Sequence, residues 1–265
     1  MKHAVITGST RGIGNAMAEA FLAKGWAVTI SGRKKEVVDE TVSKMAEHYE
    51  KDRIFGAACD VTDMLQVENL WEQALKKFGT VDIWVNNAGI SHDQLFLWDI
   101  PPEEMYAVTN INILGTLHGV RAAMRGMLNQ GHGKIFNLEG YGSSKRIQAK
   151  LNAYGTSKAA ITFIAKALAL ETRGTPIITG TLQPGMVVTD LIEKPFSDDA
   201  KGWEEFKPIL NIIADVPENV GPFLVEKMID CKKNGSKIEY TSGLKIMWRF
   251  ITSRFSKRDL FTNEN

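Results

Sequence analysis

Short apolar, largely β-branched runs recur along the chain without the strict alternation of a half-exposed strand. Longer stretches with helical spacing separate them. The pattern predicts strands at 4–7, 27–31, 54–58, 83–86, 134–137 and 177–181, with a seventh near 237–240. Helices are predicted at 13–24, 35–49, 64–77, 102–129 and 154–173. Unalternating apolar strands belong in a sheet covered on both faces. Strand–helix alternation makes that sheet parallel and doubly wound, with right-handed crossovers, so the expected fold class is α/β. The pattern weakens at 190–217 around Pro195, Pro208 and Pro217. That stretch reads as an irregular helical insertion over a substrate site within a single domain, 1–265.

The first strand runs into Gly8, Ser9, Thr10, Arg11, Gly12, Ile13 and Gly14, and a helix follows. Glycines permit a tight turn and close backbone approach, and a helix N-terminus offers free N–H groups to a phosphate. In a strand–loop–helix context this is a dinucleotide pyrophosphate site, although its G-x-x-x-G-x-G spacing differs from the common fingerprint. No Gly-Lys-Ser/Thr closes the loop, so it is not a P-loop. The second strand ends Ser31-Gly32-Arg33 and lacks the acid that binds the ribose 2′-hydroxyl of NAD. Arg33, with Arg11 in the loop, suits a 2′-phosphate instead, so the expected cofactor is NADP (NADPH). Lys34 and Lys35 read as a solvated face.

Tyr154 and Lys158 stand four apart on the helix predicted at 154–173, which places them on one face. An ammonium beside a phenol favours the phenolate and lowers its pKa from about 10. Such a pair suits proton transfer to an oxygen while hydride moves on the adjacent carbon.

The residues Thr7–Gly14, Asp60-Val61, Asn86-Asn87-Ala88-Gly89, Asn112, Tyr154…Lys158 and Pro184-Gly185…Thr189 occur in an order and spacing that resemble the short-chain dehydrogenase/reductase family. The resemblance implies a three-layer Rossmann fold with a parallel sheet of about seven strands. It also implies a cofactor lined by the glycine loop, Asp60 and Val61 at the adenine end, and Asn87, Ala88 and Gly89 after the fourth strand. Pro184, Gly185 and Thr189 would lie near the nicotinamide. Asn112 would hold a water linking Lys158 to solvent. Tyr154 would be the proton donor, acting on a small-molecule carbonyl substrate in a homodimer or homotetramer.

The family's catalytic serine is missing. Thirteen residues before Tyr154 stands Tyr141, and the motif-aligned position is Gly140. Ser143, Ser144 and Tyr141 are the alternatives for polarising the carbonyl, with Ser143 carried forward as the catalytic candidate; plain loop roles are the alternative for both serines. The run Phe136-Asn137-Leu138-Glu139-Gly140, the segment 183–191, Pro217-Glu218-Asn219-Val220, and Tyr240…Leu244…Trp248 together resemble the chlorophyll b reductase branch. That branch reduces a formyl group on a large tetrapyrrole with NADPH.

Composition excludes several other classes. With 32 Lys+Arg against 31 Asp+Glu, the formal charge of +1 gives no field to gather nucleic acid. Two cysteines and five scattered histidines match no metal-ligand spacing, although His92 follows the Asn86–Ser91 segment and has the placement of a cleft-edge residue. No apolar run approaches the ~20 residues of a membrane span. The first predicted strand starts immediately after Lys2-His3, so no signal peptide is read and the expected compartment is cytoplasmic. The basic, aromatic tail at 241–265 sets Leu244, Met247, Trp248, Ile251 and Phe255 on one face, with Lys245, Arg249, Arg254, Lys257 and Arg258 around it. That face has four destinations: the substrate cleft, a second subunit, weak contact with an anionic membrane surface, or packing within the chain. A non-catalytic NADP(H) sensor is the rival reading, which the missing serine favours and the Tyr154, Lys158, Asn112 set opposes. A methyltransferase would leave Tyr154 and Lys158 without a role.

Overall fold

The computed structural model describes residues 1–143, 147–193, 196, 200–253 and 258–261. Ser144, Pro195, Asp198, Asp199, Arg254, Phe255 and Lys257 lie outside these residues. Seven parallel strands form one sheet in the order β3-β2-β1-β4-β5-β6-β7. They are β1 (His3–Ile6), β2 (Ala27–Gly32), β3 (Ile54–Ala58), β4 (Ile83–Asn86), β5 (Gly133–Leu138), β6 (Ile177–Gln183) and β7 (Ser236–Glu239). The order reverses between β1 and β4, and in such sheets the crevice beyond the carboxyl ends of the strands is the ligand site.

Alternation along each strand builds two apolar layers. Ile6, Ile30, Val85 and Phe136 face α1 (Gly12–Ala23) and α9 (Pro217–Asp230), where they meet Met17, Phe21, Leu224 and Met228. Val5, Trp84 and Ile135 face the opposite way, toward α3 (Met64–Phe78) and α5 (Gly115–Gln130), with Leu70, Trp71 and Met127. The remaining helices are α2 (Lys35–Met45), α4 (Pro102–Val108), α6 (Asn152–Glu171), α7 (Asp190–Glu193), α8 (Ala200–Ile213) and α10 (Gly243–Thr252).

Two differences from the sequence pattern bear on the site. The single helix predicted at 102–129 is divided into α4 and α5 by a π-helical turn, Thr109–Leu114, with Asn112 buried in it. The prolines near 217, read as the end of an irregular stretch, partly mark a helix start. Pro217 sits in the first turn of α9, where its missing N–H has no partner to lose.

Candidate active site

The loop after β1 meets the loop after β4 at its first glycine. Gly8 has φ +62°, and a Cβ there would come within 2.8 Å of Ala88 Cα. Only glycine tolerates both constraints. Thr7 locks the two loops together, its hydroxyl accepting from the backbone N–H of Asn87 and Ala88 at 3.1 Å each. The Asn87 amide donates to the carbonyls of Thr7 (2.9 Å) and Gly8 (2.8 Å). Ser9 is fully buried, donating to the Ile6 carbonyl at 2.7 Å and accepting from the Ser31 N–H at 3.0 Å. Its side chain therefore ties the loop to β2 and does not point into the crevice. No side chain caps α1, so its first turn presents backbone N–H groups of the kind that bind phosphate.

The two arginines expected at a 2′-phosphate have different surroundings. Arg11 pairs with Asp190 at the start of α7, both exposed. Arg33 is exposed at the end of β2 and has no hydrogen-bond or ion-pair partner among the described residues. Asp60 is half-buried and holds its own turn, accepting from Thr62 N–H at 2.9 Å and Thr62 Oγ1 at 2.8 Å. The adjacent Val61 is buried against Gly115.

Helix α6 brings Tyr154 and Lys158, both buried, to the end of β5. Lys158 Nζ donates to the Leu138 carbonyl at 3.3 Å and lies 5.8 Å from the Tyr154 ring centre. Asn112 completes the cluster. Its Oδ1 accepts from Ile90 N–H, and its Nδ2 donates to the Ile90 carbonyl and to Ser157 Oγ, all at 2.9 Å. Ser157 donates in turn to the Tyr154 carbonyl at 2.7 Å. The π-helical turn thus fixes the loop after β4 and the first turn of α6 to each other. The Asn112 backbone carbonyl accepts from Thr116 Oγ1 at 2.7 Å.

Burial dominates the electrostatics. It pushes the Tyr154 phenol above its usual range and lowers the Lys158 ammonium to about 8, the Glu139 carboxylate opposing the latter change. This corrects the expectation of a phenol lowered by its lysine. The ammonium is directed at the Leu138 carbonyl, and desolvation penalises the phenolate. The shift favours the protonated phenol.

The turn after β5 carries the positions where the family's serine is expected. Of the two aligned positions, Gly140 faces the tyrosine: a Cβ there would lie 2.6 Å from the Tyr154 hydroxyl. Ser143 serves the backbone, accepting from Gly140 N–H and donating to the Lys158 carbonyl at 3.2 Å each. Its one proton is engaged by the Lys158 carbonyl. Glu139 was not among the expected site residues. It is buried, accepts from Thr162 Oγ1 at 3.1 Å, and has Lys237 Nζ at 3.9 Å; burial raises its pKa. An acid next to the expected serine position was the only sequence signal for it.

Beyond β6, Pro184 is buried, Gly185 is exposed, and Thr189 rests its methyl on the loop at Gly12. This segment is pinned by Asp215, whose N–H donates to the Met186 carbonyl at 3.0 Å and whose carbonyl accepts from Val188 N–H at 2.9 Å. The buried Asp215 carboxylate accepts from Asn219 (2.8 Å), Tyr240 (2.7 Å), Arg249 and Arg258 (3.5 Å). Two of the tail's basic residues therefore turn inward. On α10, Leu244 is 74% and Trp248 65% exposed, with Met247, Phe250 and Ile251 also exposed, so the described residues do not bury this face. No helix among the described residues is long and apolar enough to cross a membrane.

A family model described as short chain dehydrogenase matches residues 2–200. The chain is 31% identical over 268 residues to a probable chlorophyll(ide) b reductase NYC1, chloroplastic, of Arabidopsis thaliana, covering 95% of this chain and 53% of that protein. It is 34% identical over 271 residues to chlorophyll(ide) b reductase NOL, chloroplastic, of the same plant, covering 98% and 75% respectively. It thus spans about half the length of the NYC1 relative. Among solved structures, a 3-ketoacyl-(acyl-carrier-protein) reductase from Brucella melitensis complexed with NADH superposes with TM-score 0.80 at 25% identity, covering 92% of this chain and 98% of that one. An actinorhodin polyketide ketoreductase with NADPH gives TM-score 0.81 at 25% identity, covering 92% and 97%. The cytoplasmic expectation is corrected by the reductase relatives, which are named chloroplastic and point to the plastid for that branch. Cysteine count and an early first strand do not distinguish one reducing compartment from another.

Proposed function

Because this chain belongs to the short-chain dehydrogenase family, in the branch that resembles the chlorophyll(ide) b reductases, we propose that it is an NADP(H)-dependent carbonyl reductase. The observation that carries this reading is the meeting of Tyr154, Lys158 and Asn112 at the crevice where the glycine loop and the loop after β4 are locked together.

The cradle suits a dinucleotide. Gly8 leaves room for close backbone approach, the uncapped start of α1 suits a pyrophosphate, and Arg33, unpaired among the described residues, suits a 2′-phosphate. Gly12, Ile13 and Gly14 continue that cradle, with Thr10 and Arg11 at its rim. Asp60 and Val61 stand at the adenine end, Asn87, Ala88 and Gly89 along the middle, and Pro184, Gly185 and Thr189 at the nicotinamide end. When bound, the nicotinamide supplies the hydride. Tyr154 donates its phenolic proton to the substrate oxygen. Lys158, still charged at neutral pH, stabilises the phenolate left behind and binds the ribose hydroxyls. Asn112 keeps the tyrosine's helix in register with the loop after β4 and stands on the route by which the proton is replaced. Ser143 shapes the turn above them. The substrate is a bulky carbonyl compound, for which a chlorophyllide b-type aldehyde heads a panel assayed by NADPH absorbance. Absence of turnover across the panel, with NADPH bound, would favour the sensor reading. The assembly this family reading carries is a homo-oligomer, checked by light scattering.

Two outcomes test the parts. Arg33→Ala is expected to weaken NADPH binding about 10- to 100-fold, the loss of one charge-assisted contact worth about 1.5–3 kcal/mol. NADH binding should hardly change; equal losses for both cofactors, read by titration, would make Arg33 structural. The second outcome concerns pH. Lys158 must keep its proton, so kcat/KM should fall as pH rises through about 8. Glu139→Gln removes the charge that supports that proton, so this limb should move to lower pH. A limb that stays in place would remove Glu139 from the site's electrostatics.

A further inference from the structure

The position where the family's serine would stand is closed from both sides. The backbone of Gly140 cannot retreat, because its carbonyl accepts from Ser143 N–H at 3.1 Å and its N–H donates to Ser143 Oγ at 3.2 Å. The same serine hydroxyl is bonded to the Lys158 carbonyl on α6. The turn is also pressed against the start of α6 at Gly142, where a Cβ would come within 2.6 Å of Gly155 Cα. On the other side, Tyr154 is buried and its helix is held by Asn112 through Ser157. Between these supports the Tyr154 hydroxyl borders the space that a side chain at 140 would fill. A Cβ at 140 would lie 2.6 Å from that oxygen, while the next nearest atoms, Lys158 Cε and Cδ, are 3.2 and 3.3 Å away.

We infer that Gly140 is a positioning residue for the reaction: its lack of a side chain lets the Tyr154 hydroxyl lie against the end of β5, so the serine is excluded from this site by the tyrosine's own placement. This rests on the reading of Tyr154 as the proton donor. It has a counterintuitive consequence. Restoring the family's serine does not add a second donor to the carbonyl; it displaces the donor already there. A misplacement of about 1 Å at a reacting group costs about 10²-fold in rate.

The test compares Gly140→Ala and Gly140→Ser, each in the native chain and in a Tyr154→Phe background. Both single variants are expected to lower kcat about 10²-fold with NADPH affinity unchanged. Both should also lower Tm, since overpacking a fixed site is destabilising. In the Tyr154→Phe background the clashing oxygen is gone and the closest remaining contact is 3.2 Å, so the Tm loss from Gly140→Ala should largely disappear. A Gly140→Ser enzyme as active as the native one, or more so, would overturn the inference. So would an equal Tm loss from Gly140→Ala in both backgrounds. Full activity in Tyr154→Phe alone would instead refute the proton-donor assignment, an outcome separate from the Tm comparison.

Discussion

Tyr154→Phe is expected to abolish most turnover, lowering kcat by about 10²–10⁴-fold, while NADPH binding is retained. In the proposed mechanism the phenol is the proton donor, and burial, which raises its pKa, favours its protonated form. Phenylalanine keeps the ring that packs beside Lys158 and removes only the hydroxyl. On the proposed reading, cofactor affinity rests mainly on the glycine loop, Arg33 and Lys158. Stopped-flow or steady-state rates, paired with fluorescence titration of NADPH, separate the two effects. Unchanged turnover in a folded variant would end the catalytic assignment.

Arg249→Ala is expected to cost roughly 3 kcal/mol of stability, because it removes a partner from a buried carboxylate without removing the carboxylate. Asp215 is 2% exposed and holds Arg249 on α10, Tyr240 after β7 and Asn219 on α9. Burial alone would raise its pKa, yet the hydrogen bonds from Asn219, Tyr240 and Arg249 bring it down to about 2, from an ordinary 3.8. A depressed pKa means the contribution is fully present above 3.8 and lost as pH falls toward about 2. The gap in Tm between the native chain and Arg249→Ala should therefore be full at pH 7 and close in that acid window. A gap that persists at pH 2 would show that packing of the arginine stem, not its charge, holds the tail.

The core of the fold was legible in the sequence because the central strands are covered on both faces. Runs such as Ala4–Ile6 and Ile83–Val85 have no polar side to confuse them with helix or loop. The placement of the glycine loop before a helix, and of Tyr154 beside Lys158, was legible because each depends on short spacings. What was hidden depends on contacts between distant positions. The Asp215 hub gathers residues 219, 240, 249 and 258, while locally Ala214-Asp215-Val216-Pro217 resembles any loop before a helix. The tail's arginines looked like the flanks of an outward-facing surface, since nothing in their spacing reveals a buried acid waiting for them. Arg11 has the charge for a phosphate, but its pairing with Asp190 appears only once α7 lies over the loop. The place of Gly140 against the tyrosine likewise required knowing that the turn is pressed onto α6.

The π-helical turn at Thr109–Leu114 amounts to one residue too many for a regular helix. Deleting a single residue there would join α4 and α5 into an uninterrupted helix with a regular ladder. It would also remove the widened turn from which Asn112 reaches two neighbouring elements. Asn112 could not then meet Ile90 and Ser157 together. Selection for thermal robustness alone would tend to regularise this helix, and a sequence optimised in that way would be expected to become a sturdier protein with a misassembled catalytic crevice.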